Sequence, residues 1–169
     1  MAIEIRALTE ADTDPVVRLS LRAWAPVFAS FEAVLGAEIY ERIYPDWLTS
    51  QARAVAAVCH EHAATTWVAT AGGEPTGFVA LVLNHEDRSG EIEMLAVDPA
   101  HQRQGIAAAL IDFAVDRMRA AGTTLAAIGT GGDPGHAPAR RAYEKAGFTA
   151  MPQVRYYKRS SRSGVTDRS

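Results

Sequence analysis

The segment from Val97 to Leu110, VDPAHQRQGIAAAL, constrains this chain more than any other part of the sequence. An apolar strand pattern ends at Val97, a polar loop follows, and a helical pattern begins directly after Gly105. The first turn of a helix has backbone N–H groups without intrahelical partners and a partial positive charge. A loop that directs such groups towards one point binds phosphate or pyrophosphate. The pattern indicates either an anion site or a tight strand-to-helix turn that needs a glycine only for steric reasons.

The remaining patterns predict an α+β domain, with a mixed, mainly antiparallel sheet flanked by helices. The predicted order is β-α-α-β-β-β-α-β-α-β, with one further strand optional, and Pro45-Asp46 could start a third helix through Val58. We expect residues 1–157 to form a single domain and residues 158–169 to be a disordered tail. The predicted strands are residues 3–7, 66–71, 77–84, 91–97, 125–128 and 148–157.

Charge and composition exclude several classes of protein. A formal net charge of −3 argues against nucleic acid as the main partner. The start of the chain has no signal-peptide pattern, and no apolar run approaches the length of a membrane span. The single cysteine, Cys59, is typical of a reducing compartment, so we expect a cytoplasmic protein. No metal site is expected, because Cys59, His60 and His62 do not share one helix face.

Two segments together resemble one enzyme family. The segment Gln102–Ala107, QRQGIA, resembles the Q/R-x-x-G-x-G/A signature of the GCN5-related N-acetyltransferases (GNATs). The segment Ala139–Phe148, ARRAYEKAGF, resembles that family's C-terminal A-x-x-x-Y-E-K-x-G-F pattern. A long helix, a short strand, a loop and a short helix are expected between the two signatures, as in the family. The resemblance covers Glu91 to Phe148 and implies the GNAT fold.

The resemblance also implies a cosubstrate and a set of site residues. It implies that acetyl-CoA binds with its pyrophosphate on the loop amides and its pantetheine arm along the strand that ends at Val97. It implies that this strand splays from its neighbour at a bulge and that one backbone amide there polarises the thioester carbonyl. It also implies that Tyr143 is the general acid for the leaving thiolate. His136 stands where the family often has an asparagine that touches the cofactor. The residues implied to bind the cofactor are Leu95, Ala96, Val97, Gln102, Arg103, Gln104, Gly105, Ile106, Ala107 and His136.

The base that deprotonates the amine is left open by the sequence. Strand alternation places Glu91 and Glu93 on one face with Leu95 and Val97, and Glu93 is the first candidate for a catalytic base. Both glutamates are equally consistent with solvated strand residues that only attract a cationic substrate. The other candidates are Asp133, His136 and water. The glycine-rich stretch 130–138 contributes a wall of the site or is merely a long connection.

The expected activity is transfer of an acetyl group to a primary amine of a small molecule or peptide. The alternatives are a non-catalytic acyl-CoA-binding module, a protein N-terminal acetyltransferase and a general phosphate-ligand protein. The sequence leaves a homodimer open. Trp24, Phe28 and Trp47 line the acceptor pocket or belong to the core, and Arg140 contacts the cofactor phosphates or solvent.

Overall fold

The computed structural model describes residues 2–160 and contains five strands and five α-helices in that range. The strands are β1 (Glu4–Ala7), β2 (Thr66–Ala71), β3 (Glu74–Asn84), β4 (Ser89–Val97) and β5 (Leu125–Ile128). The helices are α1 (Thr13–Leu35), α2 (Ala37–Ile43), α3 (Trp47–Glu61), α4 (Ile106–Ala120) and α5 (Ala137–Lys145).

The strands form one sheet in the order β1-β2-β3-β4-β5, and helices cover both of its faces. The first four strands pair antiparallel, whereas β4 and β5 pair in parallel. On one face Val16 of α1 and Val55 of α3 pack against Phe78. On the other face Leu110 and Met118 of α4 pack against the sheet. The predicted α+β class with a mainly antiparallel sheet is confirmed.

The helical part contains three helices rather than the two of the expected order. The first helix continues through Pro26 to Leu35, although the pattern placed a second helical segment from Phe31 onwards. It ends because Gly36 has a φ of +77°, a left-handed conformation that glycine adopts at little cost. The short helix α2 follows immediately, and Asp46 caps α3 by accepting a hydrogen bond from the Thr49 amide at 3.2 Å.

The predicted final strand at residues 148–157 is not formed. This segment has no regular secondary structure, and Met151, Val154 and Tyr156 are exposed. Pro152 supplies no N–H group for a sheet, which weakens a strand at this position. Further along, Arg159 forms an ion pair with Glu38 of α2 at 2.7 Å. The tail predicted at 158–169 lies outside the described residues from position 161 onwards.

Within residues 2–160, no helix combines the length and the apolar character that a membrane crossing requires. The longest helix, α1, is instead amphipathic and buries Val16, Leu19 and Phe28.

A partly buried ion pair joins the first strand to the residue that precedes the first helix. Arg6 donates two hydrogen bonds to the Asp12 carboxylate, at 2.7 and 2.9 Å. The amide and hydroxyl of Thr9 also donate to Asp12, each at 2.8 Å. The hydrogen bond from Arg6 is the main reason that the pKa of Asp12 falls to about 2, because it favours the ionised form.

Asp12→Asn should lower the free energy of unfolding at pH 7 by about 1–2 kcal/mol. The pKa of Asp12 is lower in the folded state, so its stabilising effect is full above its unfolded pKa of about 3.9. It is lost as the pH falls through the folded value of about 2. Urea unfolding at pH 7 and at acidic pH measures this. Asp14→Asn is the control, because that exposed carboxylate meets only the helix dipole. If Asp12→Asn lowered the free energy of unfolding as much at pH 2 as at pH 7, the stabilising effect could not come from the ionised Asp12 carboxylate.

Candidate active site

The central feature of the site is a split between the two parallel strands. Pairing between β4 and β5 runs from Ser89 opposite Leu125 to Ile92 opposite Ile128. Beyond Ile92, no strand in residues 2–160 pairs with this side of β4. The stretch 93–97 therefore has one free backbone edge, and an extended ligand could lie along it as an added strand.

A β-bulge lies at the point where the strands separate. The pairing of β3 with β4 passes from Ala80 opposite Met94 to Leu81 opposite Ile92, so Glu93 is the extra residue. Bulges bend a strand and increase its twist, and they are frequent beside active sites. The exposed Glu93 therefore marks the start of the free edge.

The bulge also corrects the predicted faces of β4. Ile92, Leu95 and Val97 belong to the core cluster beneath α4, whereas Ala96 belongs to the cluster beneath α1 and α3. Ile92 and Leu95 share a face although they are three residues apart, because Glu93 interrupts the alternation. Glu91 alternates with Ile92 and so points away from the face of Leu95 and Val97. The prediction that Glu91 shares that face is wrong.

Backbone groups of Leu95 and Val97 face the split. The Asp98 amide donates to the Thr76 carbonyl at 2.8 Å, so Asp98 directs its N–H towards β3. Successive residues of an antiparallel strand direct their N–H and C=O groups to opposite sides. Val97 and Leu95 therefore direct theirs away from β3. The Gln102 side chain donates to the Val97 carbonyl at 3.3 Å, which leaves the Leu95 N–H and C=O and the Val97 N–H available.

The loop from Gln102 to Ala107 presents its amides outwards. Arg103 and Gly105 both have left-handed backbone conformations, with φ of 63° and 81°. In the described part of the chain, no acceptor is hydrogen-bonded to the amides of Arg103, Gln104 or Gly105. The next two amides begin α4, where no intrahelical acceptor exists. A Cβ atom built on Gly105 meets nothing within 4 Å. The loop therefore has unpaired amides of the kind that the predicted anion site requires.

Asp98 fixes the chain ahead of this loop. Its carboxylate accepts a hydrogen bond from the Ala100 amide at 3.1 Å and forms an ion pair with Arg22 of α1. The hydrogen bond from Arg22 is the main reason that the pKa of Asp98 is lowered. A Cβ atom on Gly77 would lie 3.2 Å from the Ile106 side chain, so this glycine lets α4 begin close against the sheet.

Tyr143 lies in the last turn of α5 and is partly buried. Burial raises the pKa of its phenol to about 12, because the charged form would be poorly solvated. Its ring makes an edge-on contact with Phe148, with ring centroids 6.3 Å apart. The phenol is therefore protonated at neutral pH.

The loop between β5 and α5 holds a hydrogen-bonded group that the sequence did not predict. Asp133 Oδ1 lies 2.5 Å from His136 Nδ1, and Asp133 Oδ2 accepts a hydrogen bond from Ser30 of α1 at 2.7 Å. Burial alone would raise the pKa of Asp133, but hydrogen bonds from His136 and Ser30 hold it below its ordinary value. Asp133 and His136 were candidates from the sequence. Ser30 was not, because 103 residues separate it from Asp133.

Arg140 has a role different from those considered for it, whereas Trp24 and Phe28 belong to the core, which was one of their two predicted roles. Arg140 donates to the carbonyls of Gly131 and Asp133, at 2.6 and 2.7 Å, and thus braces the loop. Trp24 packs against the core. The other predicted aromatic residues join a cluster beside the loop: Phe28 stacks on Trp47 at 4.4 Å, and Phe31, in edge-on contact with Phe28, lies 5.6 Å from the His136 ring.

The split between the parallel strands thus lies beside a loop whose amides from Arg103 to Gly105 are unpaired within the described residues. The family model for the GNAT acetyltransferases matches residues 34–148, which is more than half of the chain. The chain belongs to this family and is an acyl-CoA-dependent N-acetyltransferase.

Solved structures with this fold include N-acetyltransferases that are named for different acceptors. The PaiA N-acetyltransferase from Thermoplasma acidophilum, in complex with coenzyme A, is 18% identical, with a TM-score of 0.69 over 91% of this chain and 94% of that one. The ribosomal-protein-S18-alanine N-acetyltransferase from Escherichia coli is 19% identical, with a TM-score of 0.65 over 94% and 86%. An aminoglycoside 6′-N-acetyltransferase from Acinetobacter haemolyticus is 17% identical, with a TM-score of 0.61 over 94% and 99%. At these identities the likeness shows the fold. A comparison with curated proteins found no match.

Proposed function

We propose that this protein transfers the acetyl group of acetyl-CoA directly to a primary amine of a small molecule or peptide. The observation that carries the proposal is the free edge of β4 at residues 93–97, which lies directly before a loop with unpaired amides. A ligand with a peptide-like arm and a diphosphate matches both features at once. Acetyl-CoA has this structure, and its thioester lies at the far end of the arm.

The loop holds the diphosphate and β4 holds the arm. Amides from Arg103 to Ala107 donate to phosphate oxygens, and the dipole of α4 favours the negative charge. The Leu95 carbonyl accepts a hydrogen bond from the pantetheine arm, and the Val97 amide donates one to it. Ala96 directs its groups towards β3 and so fixes its two neighbours in place. Gln102 secures the loop to the strand through the Val97 carbonyl.

Backbone amides on the free edge stabilise the charge that develops on the thioester oxygen. When the amine attacks the carbonyl carbon, negative charge forms on that oxygen. A preorganised amide donor, for which Leu95 N–H is available, stabilises such an oxyanion by about 3–4 kcal/mol. Holding amine and thioester together also removes much of the entropic cost of their encounter.

Tyr143 assists departure of the thiolate by donating a hydrogen bond to the sulfur. The pKa of its phenol, about 12, lies above the value of about 8.5 that is typical of a thiol. Complete proton transfer from the phenol to the sulfur is therefore uphill even to the free thiolate. Tyr143 stabilises the departing sulfur through its hydrogen bond, and the proton is transferred only because the phenolate regains a proton that the nitrogen releases as the amide forms.

Binding and turnover of acetyl-CoA test the proposal directly. Titration calorimetry should detect acetyl-CoA and coenzyme A at micromolar concentrations, and a panel of amines and short peptides should release free thiol. ATP and NAD are the controls, because equal binding of all four would indicate a general phosphate-ligand protein. Absence of acetyl-CoA binding at hundreds of micromolar would overturn the proposal. Binding without thiol release by any amine would identify a non-catalytic acyl-CoA-binding module.

A further inference from the structure

We propose that His136 is the general base that accepts the proton of the substrate amine, with Asp133 and Ser30 as positioning residues. This inference rests on the proposed acetyl transfer and names the proton acceptor of the same site.

The hydrogen bonds of Asp133 determine which nitrogen of His136 carries the proton. Both oxygens of the Asp133 carboxylate are hydrogen-bonded. Oδ1 lies 2.5 Å from His136 Nδ1, and Oδ2 accepts from the Ser30 hydroxyl at 2.7 Å and from the Gly135 amide at 3.0 Å. An ionised carboxylate can only accept hydrogen bonds, so Nδ1 is the nitrogen that bears hydrogen. In the neutral ring, Nε2 then has a free lone pair that can accept a proton.

That second nitrogen is accessible. No group in residues 2–160 forms a hydrogen bond with His136 Nε2, and this atom is not among the buried polar atoms without a partner. Only 17% of the His136 side chain is exposed, so the ring is held in place while Nε2 can meet a water molecule or an amine. This arrangement is what a positioned base requires.

The glycine-rich loop is closed tightly around this pair. A Cβ atom on Gly131 would overlap Asp133 Oδ1 and His136 Nδ1, and one on Gly135 would lie 2.7 Å from Ser30 Cβ. Arg140 holds the loop from the other side through two carbonyls. A simple connection between a strand and a helix needs neither glycine. The stretch 130–138 is therefore built to support the histidine.

The pair also lies in the right place for the reaction. The loop begins at Ile128, where β5 leaves β4 and the split opens. His136 caps α5, and Tyr143 lies about two helical turns further along the same face, roughly 10 Å along the helix axis. One helix thus carries a proton acceptor at its start and a proton donor near its end.

Each proton has a defined destination in this scheme. The ammonium group gives its first proton to His136 Nε2, directly or through one water, and the imidazolium later releases it to solvent. The neutral amine forms the C–N bond, and the C–S bond breaks. Tyr143 supplies a proton to the departing sulfur. The nitrogen loses a second proton as the amide forms, and this proton replaces the one that Tyr143 gave. The sum is one amide, one free thiol and one proton released.

The surroundings of His136 favour this role over Glu93. On its own loop, Asp133 accepts from Nδ1, and on its own helix the Arg140 guanidinium is committed to carbonyls. The other charged groups of this helix are Arg141, Glu144 and Lys145, which lie further along it. Phe31 of α1 places an uncharged ring beside the His136 ring. Tyr44, which follows α2, is a titratable group nearby. Burial is the main cause of its raised pKa, and the charge of Asp133 raises this pKa further. Glu93 is exposed, and no hydrogen bond from the described residues positions its carboxylate.

The pH dependence of His136→Asn is the main test. An imidazole base gives kcat/KM an acidic limb, because the protonated ring cannot accept a proton. His136→Asn should remove this limb and lower kcat at pH 7.5 by about 10²-fold or more. Glu93→Gln should retain the limb. If His136→Asn keeps the rate and the limb while Glu93→Gln loses them, Glu93 is the base and the inference is wrong.

Two serines of α1 provide a matched pair for the positioning role. Ser30→Ala removes the hydrogen bond to Asp133 and should lower kcat by about 2- to 10-fold without changing KM. Ser20→Ala removes a buried hydroxyl that has no partner among the described residues, so it should leave both constants unchanged. Equal effects of the two variants would contradict the positioning role of Ser30.

Imidazole nitrogen NMR tests the tautomer independently of activity. The wild-type protein should show His136 with hydrogen on Nδ1, and Asp133→Asn should lose this preference while retaining coenzyme A binding. Hydrogen on Nε2 in the wild type would overturn the inference even if the enzyme is active. Failure of the wild type to acetylate any amine would instead count against the proposed function, so the two failures are distinguishable.

Discussion

Tyr143→Phe should lower kcat by about 10²–10⁴-fold while leaving the affinity for acetyl-CoA nearly unchanged. The phenylalanine keeps the partly buried ring and its contact with Phe148 and removes only the hydroxyl that meets the departing sulfur. Because the pKa of Tyr143 is about 12, its ionisation should contribute no alkaline limb below about pH 10. Rapid-mixing or steady-state thiol release measures kcat, and calorimetry measures the affinity.

Tyr156→Phe is the matched control, since that side chain is 89% exposed in the irregular C-terminal segment. It should have no effect on kcat. If Tyr143→Phe retains the wild-type kcat, Tyr143 has no role in proton donation, and solvent must protonate the thiolate.

A negative charge at the start of α4 should weaken coenzyme A binding by about 10²-fold. Gly105→Asp places a carboxylate where the diphosphate is expected, and like charges a few ångströms apart repel by several kcal/mol at low dielectric. Aspartate tolerates the left-handed conformation of this position better than most residues. Calorimetric titration with coenzyme A gives the change in Kd.

Gly105→Asn separates charge from shape. Asparagine has nearly the same size and tolerates the same backbone conformation, and a Cβ atom at this position meets no protein atom within 4 Å. The asparagine variant should therefore retain most of the affinity that the aspartate variant loses. A similar loss in both variants would mean that the space itself, rather than the charge, is what the ligand needs.

The features predicted correctly from the sequence are those with short-range signals. Strands β2 and β5 have the predicted bounds, because each is a compact apolar run between turn residues. The helix start at Ile106 follows directly from Gly105 and the apolar period behind it. The outward loop amides follow from the same local pattern, so the candidate cofactor site was accessible to sequence reasoning.

The features missed from the sequence depend on pairing between distant segments. The resemblance implied a bulge in this strand but not its position, because the register of β3 on β4 fixes it at Glu93 and no periodicity within β4 reveals that register. Ser30 belongs to no recognisable sequence motif. It donates a hydrogen bond to Asp133 only because α1 passes beside the loop after β5. The expected strand after Phe148 had the right residue types, but a strand also needs a partner, and strand propensity is context-dependent.

Ser30 lies outside the stretch 34–148 by which the chain is assigned to its family. Relatives recognised by that stretch alone can therefore have the same diphosphate loop and tyrosine and yet remove the amine proton by another route. Transfer of a mechanism from one member to another requires the preceding helix to be aligned as well. A serine at the position of Ser30, together with a His-Asp pair after β5, is the combination to look for.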